Sequence, residues 1–150
     1  MINSEIKVLL AEDDEDDIDF FELALISVHP RTNLTTVIDG EQFFRFINTD
    51  EAENIDMIFL DINMPRKNGL ECLIELRCNK KLDHIPVIML STSTNERDVD
   101  ASFLLGANLY ISKSYLLSEL SIIKKILMLY EHNELFTTDK KKFVLTSVFK

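Results

Sequence analysis

The chain has no tryptophan, and only three glycines, three prolines and two cysteines among its 150 residues. Cys72 and Cys78 cannot build a disulfide framework: six residues apart on one expected helix, they are separated by roughly 9 Å along its axis. They suggest a reducing compartment and carry no metal signature. The scarce glycines and prolines do not cluster, so no linker, repeat or low-complexity segment interrupts the chain before about residue 131. No apolar run approaches the length needed to span a bilayer. The start, Met1-Ile2-Asn3-Ser4-Glu5, lacks the basic residues and apolar core of a signal peptide. Basic residues are also in deficit. A net charge of −10 argues against nucleic acid as a direct partner. Together these absences lead to the expectation of a cytoplasmic domain that touches neither membrane nor DNA.

What is present is enough for one core: 46% of residues are hydrophobic, and the length suits one domain better than two. The organising stretch is Met57-Ile58-Phe59-Leu60-Asp61-Ile62-Asn63-Met64-Pro65-Arg66-Lys67-Asn68-Gly69. Four apolar residues run into a carboxylate and then into turn chemistry, which reads as a buried strand opening into a loop. Asp61 therefore ends a strand, where open α/β sheets place their ligands.

The same grammar recurs along the chain. Ile6 to Ala11 is a strand ending in Glu12 and Asp13, followed by a helix carrying Ile18, Phe21, Leu23, Ala24, Leu25 and Val28, closed by Pro30. Leu34 to Ile38 is a strand ended by Asp39-Gly40, before an apolar helix with Phe43, Phe44, Phe46 and Ile47. Ile55 to Asp61 is the third strand, with Leu70, Leu73, Ile74 and Leu76 on the next helix. Ile85 to Leu90 is the fourth, ending in the cluster Ser91-Thr92-Ser93-Thr94-Asn95, which caps a helix from about Glu96 to Leu105 stopped by Gly106. Leu109 to Ile111 is a short fifth strand ending at Ser112-Lys113. A last helix is expected from about Leu116 to Tyr130, with Leu117, Leu120, Ile123, Ile126, Leu127 and Tyr130 inward. Five alternations imply crossovers, a parallel sheet and helices on both faces.

Parallel strands deliver their C-terminal ends to one edge. There the chain places Glu12, Asp13, Asp61, Ser91, Thr92 and Lys113. Carboxylates brought together repel, and burial raises their pKa values. A divalent cation relieves that repulsion, and an all-oxygen site with water positions suits Mg²⁺. Carboxylate, cation, ammonium and hydroxyl together fit phosphoryl transfer. Of the two hydroxyls, Ser91 is preferred over Thr92 because it directly ends the apolar run. Asp14, Glu15, Asp16 and Asp17 read as solvated carboxylates favoured at a helix N-terminus and receive no metal role. His29, His84 and His132 form no ligand cluster.

At this point the chain resembles the receiver domain of two-component response regulators, similar to single-domain members such as the chemotaxis regulator. The matched stretches are Val8 to Asp14, Leu60 to Gly69, Pro86 to Ser91 and Gly106 to Lys113, four motifs in order on successive strand ends. The resemblance implies a doubly wound, flavodoxin-like (βα)5 fold with strand order 2-1-3-4-5. It implies a receiver over residues 1–130 and a C-terminal extension over 131–150. It further implies that Asp61 accepts a phosphoryl group from a sensor histidine kinase. Asp13 would hold Mg²⁺ directly (Mn²⁺ being the alternative), Glu12 would do so through water, and the Asn63 carbonyl would complete the set with Asp61. Ser91 and Lys113 would hold the phosphoryl oxygens. Tyr110 matches the aromatic switch, whose ring turns inward as the hydroxyl moves. The signalling surface would be helix four, strand five and helix five, about residues 95 to 130, offered to a downstream protein, a phosphotransfer protein or a second copy of the chain.

One departure concerns the lysine. The family places a cis proline after it, and Ser114 stands here; cis costs a non-proline residue about 3 kcal/mol. The loop is then either trans and reshaped or cis and strained. The tail, with Lys140-Lys141-Lys142 before Phe143 to Phe149, reads as a strand that pairs with a sheet edge or a second subunit, or equally as a mobile terminus. Two other functions compete. One is a pseudo-receiver that binds partners without phosphorylation. The other is a haloacid-dehalogenase-type phosphatase, which wants a second aspartate where Asn63 stands.

Overall fold

Each apolar strand stops where the chain turns polar, and the polar residue that follows caps the next helix. The computed structural model describes residues 4–93, 95–136 and 139–145. In order these form β1 (Ile6–Ala11), α1 (Glu15–Val28), β2 (Thr32–Val37), α2 (Gly40–Ile47), a 3₁₀ turn (Asp50–Asn54), β3 (Met57–Asp61), α3 (Gly69–Cys78), β4 (Val87–Ser91), α4 (Glu96–Leu104), β5 (Leu109–Ser112), α5 (Lys113–Ser118), α6 (Leu120–Glu131), α7 (Lys140–Phe143) and β6 (Val144–Leu145). Asp14, Asp39, Asn68, Asn95 and Ser112 each accept a backbone N–H from the first turn of the helix they open. Asn68 and Glu71 complete a reciprocal capping box.

All strand pairs are parallel, in the order β2-β1-β3-β4-β5-β6. The doubly wound, flavodoxin-like arrangement expected from the sequence is therefore present, with a sixth strand at one edge. Side chains alternate between two cores, as the strand period requires. Leu9, Ile58, Leu60, Val87, Met89 and Tyr110 pack beneath α2, α3 and α4. Val8, Leu10, Met57, Phe59, Ile88 and Ile111 pack beneath α1, α5 and α6.

The structure corrects the sequence reading in several places. The last helix is two helices, because Glu119 is extended (φ −145°, ψ 131°) between α5 and α6. Leu120, expected inward, follows that break out of phase with a continuous helix and is exposed. Leu23 and Ile74 also face outward; Leu23 lies two positions from both Phe21 and Leu25, which is the far side of a helix. Phe44 is exposed too, and the Lys67 ammonium sits 4.7 Å above its ring. Strand two starts earlier than expected and ends at Val37, leaving Ile38 outside and exposed. No peptide bond among the described residues is cis, so Lys113-Ser114 is trans. Without proline at 114, residue 113 is free to take helical dihedrals. The helix accordingly begins at Lys113 itself, capped by Ser112. In the tail, Val144 and Leu145 pair with Tyr110 and Ile111; the rest of the strand-like run, residues 146–149, lies outside the described residues.

Candidate functional site at the strand ends

β1 and β3 are neighbours in register, Ala11 beside Leu60, so the residues that follow them meet. Glu12 and Asp61 are both almost fully buried, while Asp13 between them is exposed. One oxygen from each of Glu12, Asp13 and Asp61 lies within 4.8 Å of the others. Lys113, delivered by the start of α5, reaches into the cluster. Its Nζ lies 2.6 Å from Glu12 Oε1 and 2.9 Å from Asp61 Oδ2. The other oxygens are held by backbone: Glu12 Oε2 accepts from the N–H groups of Asp13 (3.0 Å) and Asp14 (3.3 Å), and Asp61 Oδ1 accepts from the N–H of Asn63 (3.1 Å).

The sequence reading missed Asp17. Its Oδ2 lies 3.4 Å from Lys113 Nζ, making a third carboxylate around one ammonium. No local pattern announced it, because the lysine that reaches Asp17 stands 96 residues further along the chain. Asp17 is not in the group whose oxygens could share a cation.

Electrostatics at the site follow from burial. Desolvation pushes the Glu12 carboxyl up to about 7, opposed by the Lys113 hydrogen bond and reinforced by Asp61. Burial works to lower the Lys113 pKa, but its bonds and charge interactions with Glu12 and Asp61 outweigh this and raise it. The ammonium is therefore charged throughout the physiological range. The donor chemistry fits a hard divalent cation: carboxylate oxygens only, one exposed and two buried, with no nitrogen or sulfur ligand in the set.

Ser91 stands on the next strand, fully buried, with the parity of Val87 and Met89. Its Oγ accepts from the N–H of Ser93 (3.1 Å), and the Ser93 carbonyl accepts from the Tyr110 hydroxyl (2.7 Å). Tyr110 is turned inward and fully buried, and burial raises its phenol pKa. Two groups thus emerge: Glu12, Asp13, Asp61 and Lys113 at the pocket, and Ser91, Ser93 and Tyr110 behind it. Asn63 touches the first group through its N–H.

A family model described as the response regulator receiver domain matches residues 8–125. The chain belongs to this family. Among relatives of the receiver, response regulator Rcp1 of Synechocystis is 38% identical over 117 residues, 75% of this chain and 80% of Rcp1. The Mn²⁺-bound crystal structure of Rcp1 superposes with a TM-score of 0.72 at 34% identity, covering 83% of this chain and 94% of that one. The phosphorylated cyanobacterial phytochrome response regulator RcpA gives a TM-score of 0.77 at 35% identity, covering 87% and 96%. Longer relatives carry the receiver as a part: the transcriptional regulatory protein CpxR of Klebsiella pneumoniae is 35% identical over 83 residues, 55% of this chain and 33% of CpxR. Among the described residues no helix is long and apolar enough to cross a membrane.

Proposed function

We propose that this receiver is a phosphorylation-controlled switch: Asp61 accepts a phosphoryl group from a sensor histidine kinase and the changed surface is read by a partner. The observation that carries the reading is Asp61 itself. It is a buried carboxylate at a strand end, with one oxygen 2.9 Å from an ammonium and two further carboxylates beside it. A purely structural aspartate would be satisfied by the ammonium and gains nothing from two further carboxylates, whereas an acceptor needs both a cation and an ammonium at its oxygens.

In the transfer, an Asp61 oxygen attacks phosphorus, the phosphorus–nitrogen bond of the donor phosphohistidine breaks, and the imidazole leaves with the electron pair. Asp13, Glu12, Asp61 and the Asn63 carbonyl would hold Mg²⁺, with Mn²⁺ as alternative. The metal would supply neutralisation of charge on the phosphoryl oxygens. The Mn²⁺ bound to Rcp1 supports this choice. Lys113 pairs with a phosphoryl oxygen, and the Ser91 hydroxyl donates to another. The phosphorylated state of RcpA supports the same chemistry, and its phytochrome partnership makes a phytochrome-type histidine kinase the first donor to test. We place the receiver unit at residues 1–130 and the extension at 131–150, in the cytoplasm with its kinase, the readout being a protein, a phosphotransfer protein or a second copy of this chain.

Beryllofluoride with Mg²⁺ tests the reading. The parent chain is expected to bind it with a ¹⁹F signal and a rise in Tm, and Asp61→Asn to show neither. Absence of binding by the folded parent would leave the pseudo-receiver reading in its place.

A further inference from the structure

Residues 139–145 of the extension lie on the α4–β5 face and reach the ring of Tyr110. Val144 and Leu145 continue the sheet beyond β5, paired with Tyr110 and Ile111. Phe143 is fully buried. Its ring centroid is 5.2 Å from that of Phe103 on α4, edge-on, and 6.3 Å from that of Tyr110. Lys140 makes an ion pair with Asp100, also on α4. Leu145 alternates to the opposite core, beneath α6. The extension therefore grips α4, β5 and both faces of the sheet edge at once.

Two facts make this more than edge protection. The inward Tyr110 ring forms one wall of the place Phe143 fills, their centroids 6.3 Å apart and both side chains fully buried. Tyr110 is also linked to Ser91, at the end of β4, by two hydrogen bonds: its hydroxyl donates to the Ser93 carbonyl, and the Ser93 N–H donates to Ser91 Oγ. A hydroxyl has one hydrogen to donate and lone pairs to accept with, so Ser91 can give its hydrogen to a phosphoryl oxygen while still holding Ser93. Fixing Ser91 fixes the loop that receives the Tyr110 hydroxyl.

We infer that the α4–β5 face is a docking slot for an aromatic-anchored strand, occupied in cis by residues 139–145, and that phosphorylation of Asp61 and docking of this segment favour one another through Tyr110. The coupling rests on the phosphoryl-acceptor reading of Asp61. Because linkage is reciprocal, the docked segment strengthens the phosphorylated state as much as phosphorylation strengthens docking. The same docking closes the β5 edge to any strand supplied by another molecule. An external partner at this face therefore competes with the chain's own Phe143.

The test uses the full chain in Mg²⁺ with and without beryllofluoride. Backbone amide exchange of Val144 and Leu145 is expected to slow when beryllofluoride binds. Phe143→Ala is expected to bind it roughly five-fold or more weakly than the parent, the lower range of such couplings. Lys140→Ala leaves the core untouched and should weaken binding in the same direction by less, which keeps the test open if Phe143→Ala folds poorly. Binding by the parent with unchanged exchange at Val144 and Leu145, or with equal affinity in both variants, overturns the inference and leaves the acceptor role of Asp61 standing. No binding by the parent overturns both.

Discussion

Glu12 is a carboxylate held far from water, almost fully buried at the end of β1. Burial pushes its carboxyl up to about 7 from an ordinary 4.5, even though Lys113 pulls the other way. A group whose pKa is raised in the folded state adds stability below its unfolded value and loses it as pH climbs through the folded one. Stability from Glu12 is thus present below pH 4.5, shrinks between 4.5 and about 7, and is gone above that. In chelator, the urea midpoint of the parent is expected to fall from pH 5 to pH 8, and that of Glu12→Gln to fall less. Magnesium should recover more stability at pH 8 in the parent than in Glu12→Gln, because a cation among carboxylates favours their ionised forms. An identical pH slope in both proteins would show that Glu12 ionises as it does in water. The chemistry of this pocket was legible in sequence because strand ends converge on one edge. The reach of Asp17 and the inward set of Tyr110 were not, since both depend on how α1 and the β4–α4 loop settle in three dimensions.

At the scale of elements, the chain's punctuation was readable and its phase was not. Strand–helix alternation, the caps and the stop at Gly106 follow from local chemistry. Gly106 adopts φ +97°, as a residue ending a helix in the left-handed region does. The break at Glu119 carries no glycine or proline to announce it, so one helix was expected where α5 and α6 stand. Gly69 had an obvious role as a turn residue, yet its φ is not positive. Its reason is proximity: a Cβ there would lie 2.3 Å from the Asp61 carbonyl oxygen and 2.8 Å from Ile62 Cα. The N-terminus of α3 is pressed against the end of β3, and the Gly69 N–H donates to the Ile62 carbonyl at 2.8 Å. Backbone cannot yield as a side chain does. Gly69→Ala is therefore expected to cost roughly 2–4 kcal/mol in urea unfolding, in the upper part of the range for overpacking. It should also weaken beryllofluoride binding by shifting Asp61. A neutral Gly69→Ala would show that α3 can slide away from the site at little cost.

At the scale of the whole molecule, the extension is held by a near-balance. Burying Phe143 and Leu145 contributes roughly 5 kcal/mol. Two ladder positions and a surface ion pair add about 2 more. Ordering the backbone of residues 139–145 costs about 1 kcal/mol each, near 7 in total. A segment so balanced opens on its own while the other five strands stay shut, and a modest push from Tyr110 can shift its docking. The consequence is measurable without phosphorylation. In native-state hydrogen exchange, Val144 and Leu145 are expected to exchange through a small opening, with low protection and little urea dependence. Leu9, Leu10, Ile58 and Phe59, in β1 and β3 at the centre of the sheet, should instead exchange only through global unfolding and share its full urea slope. If β6 amides matched the central strands in both protection and slope, the extension would be an integral part of the cooperative fold. Tyr110 would then face a wall, and the sixth strand would be too firmly fixed to respond to the pocket.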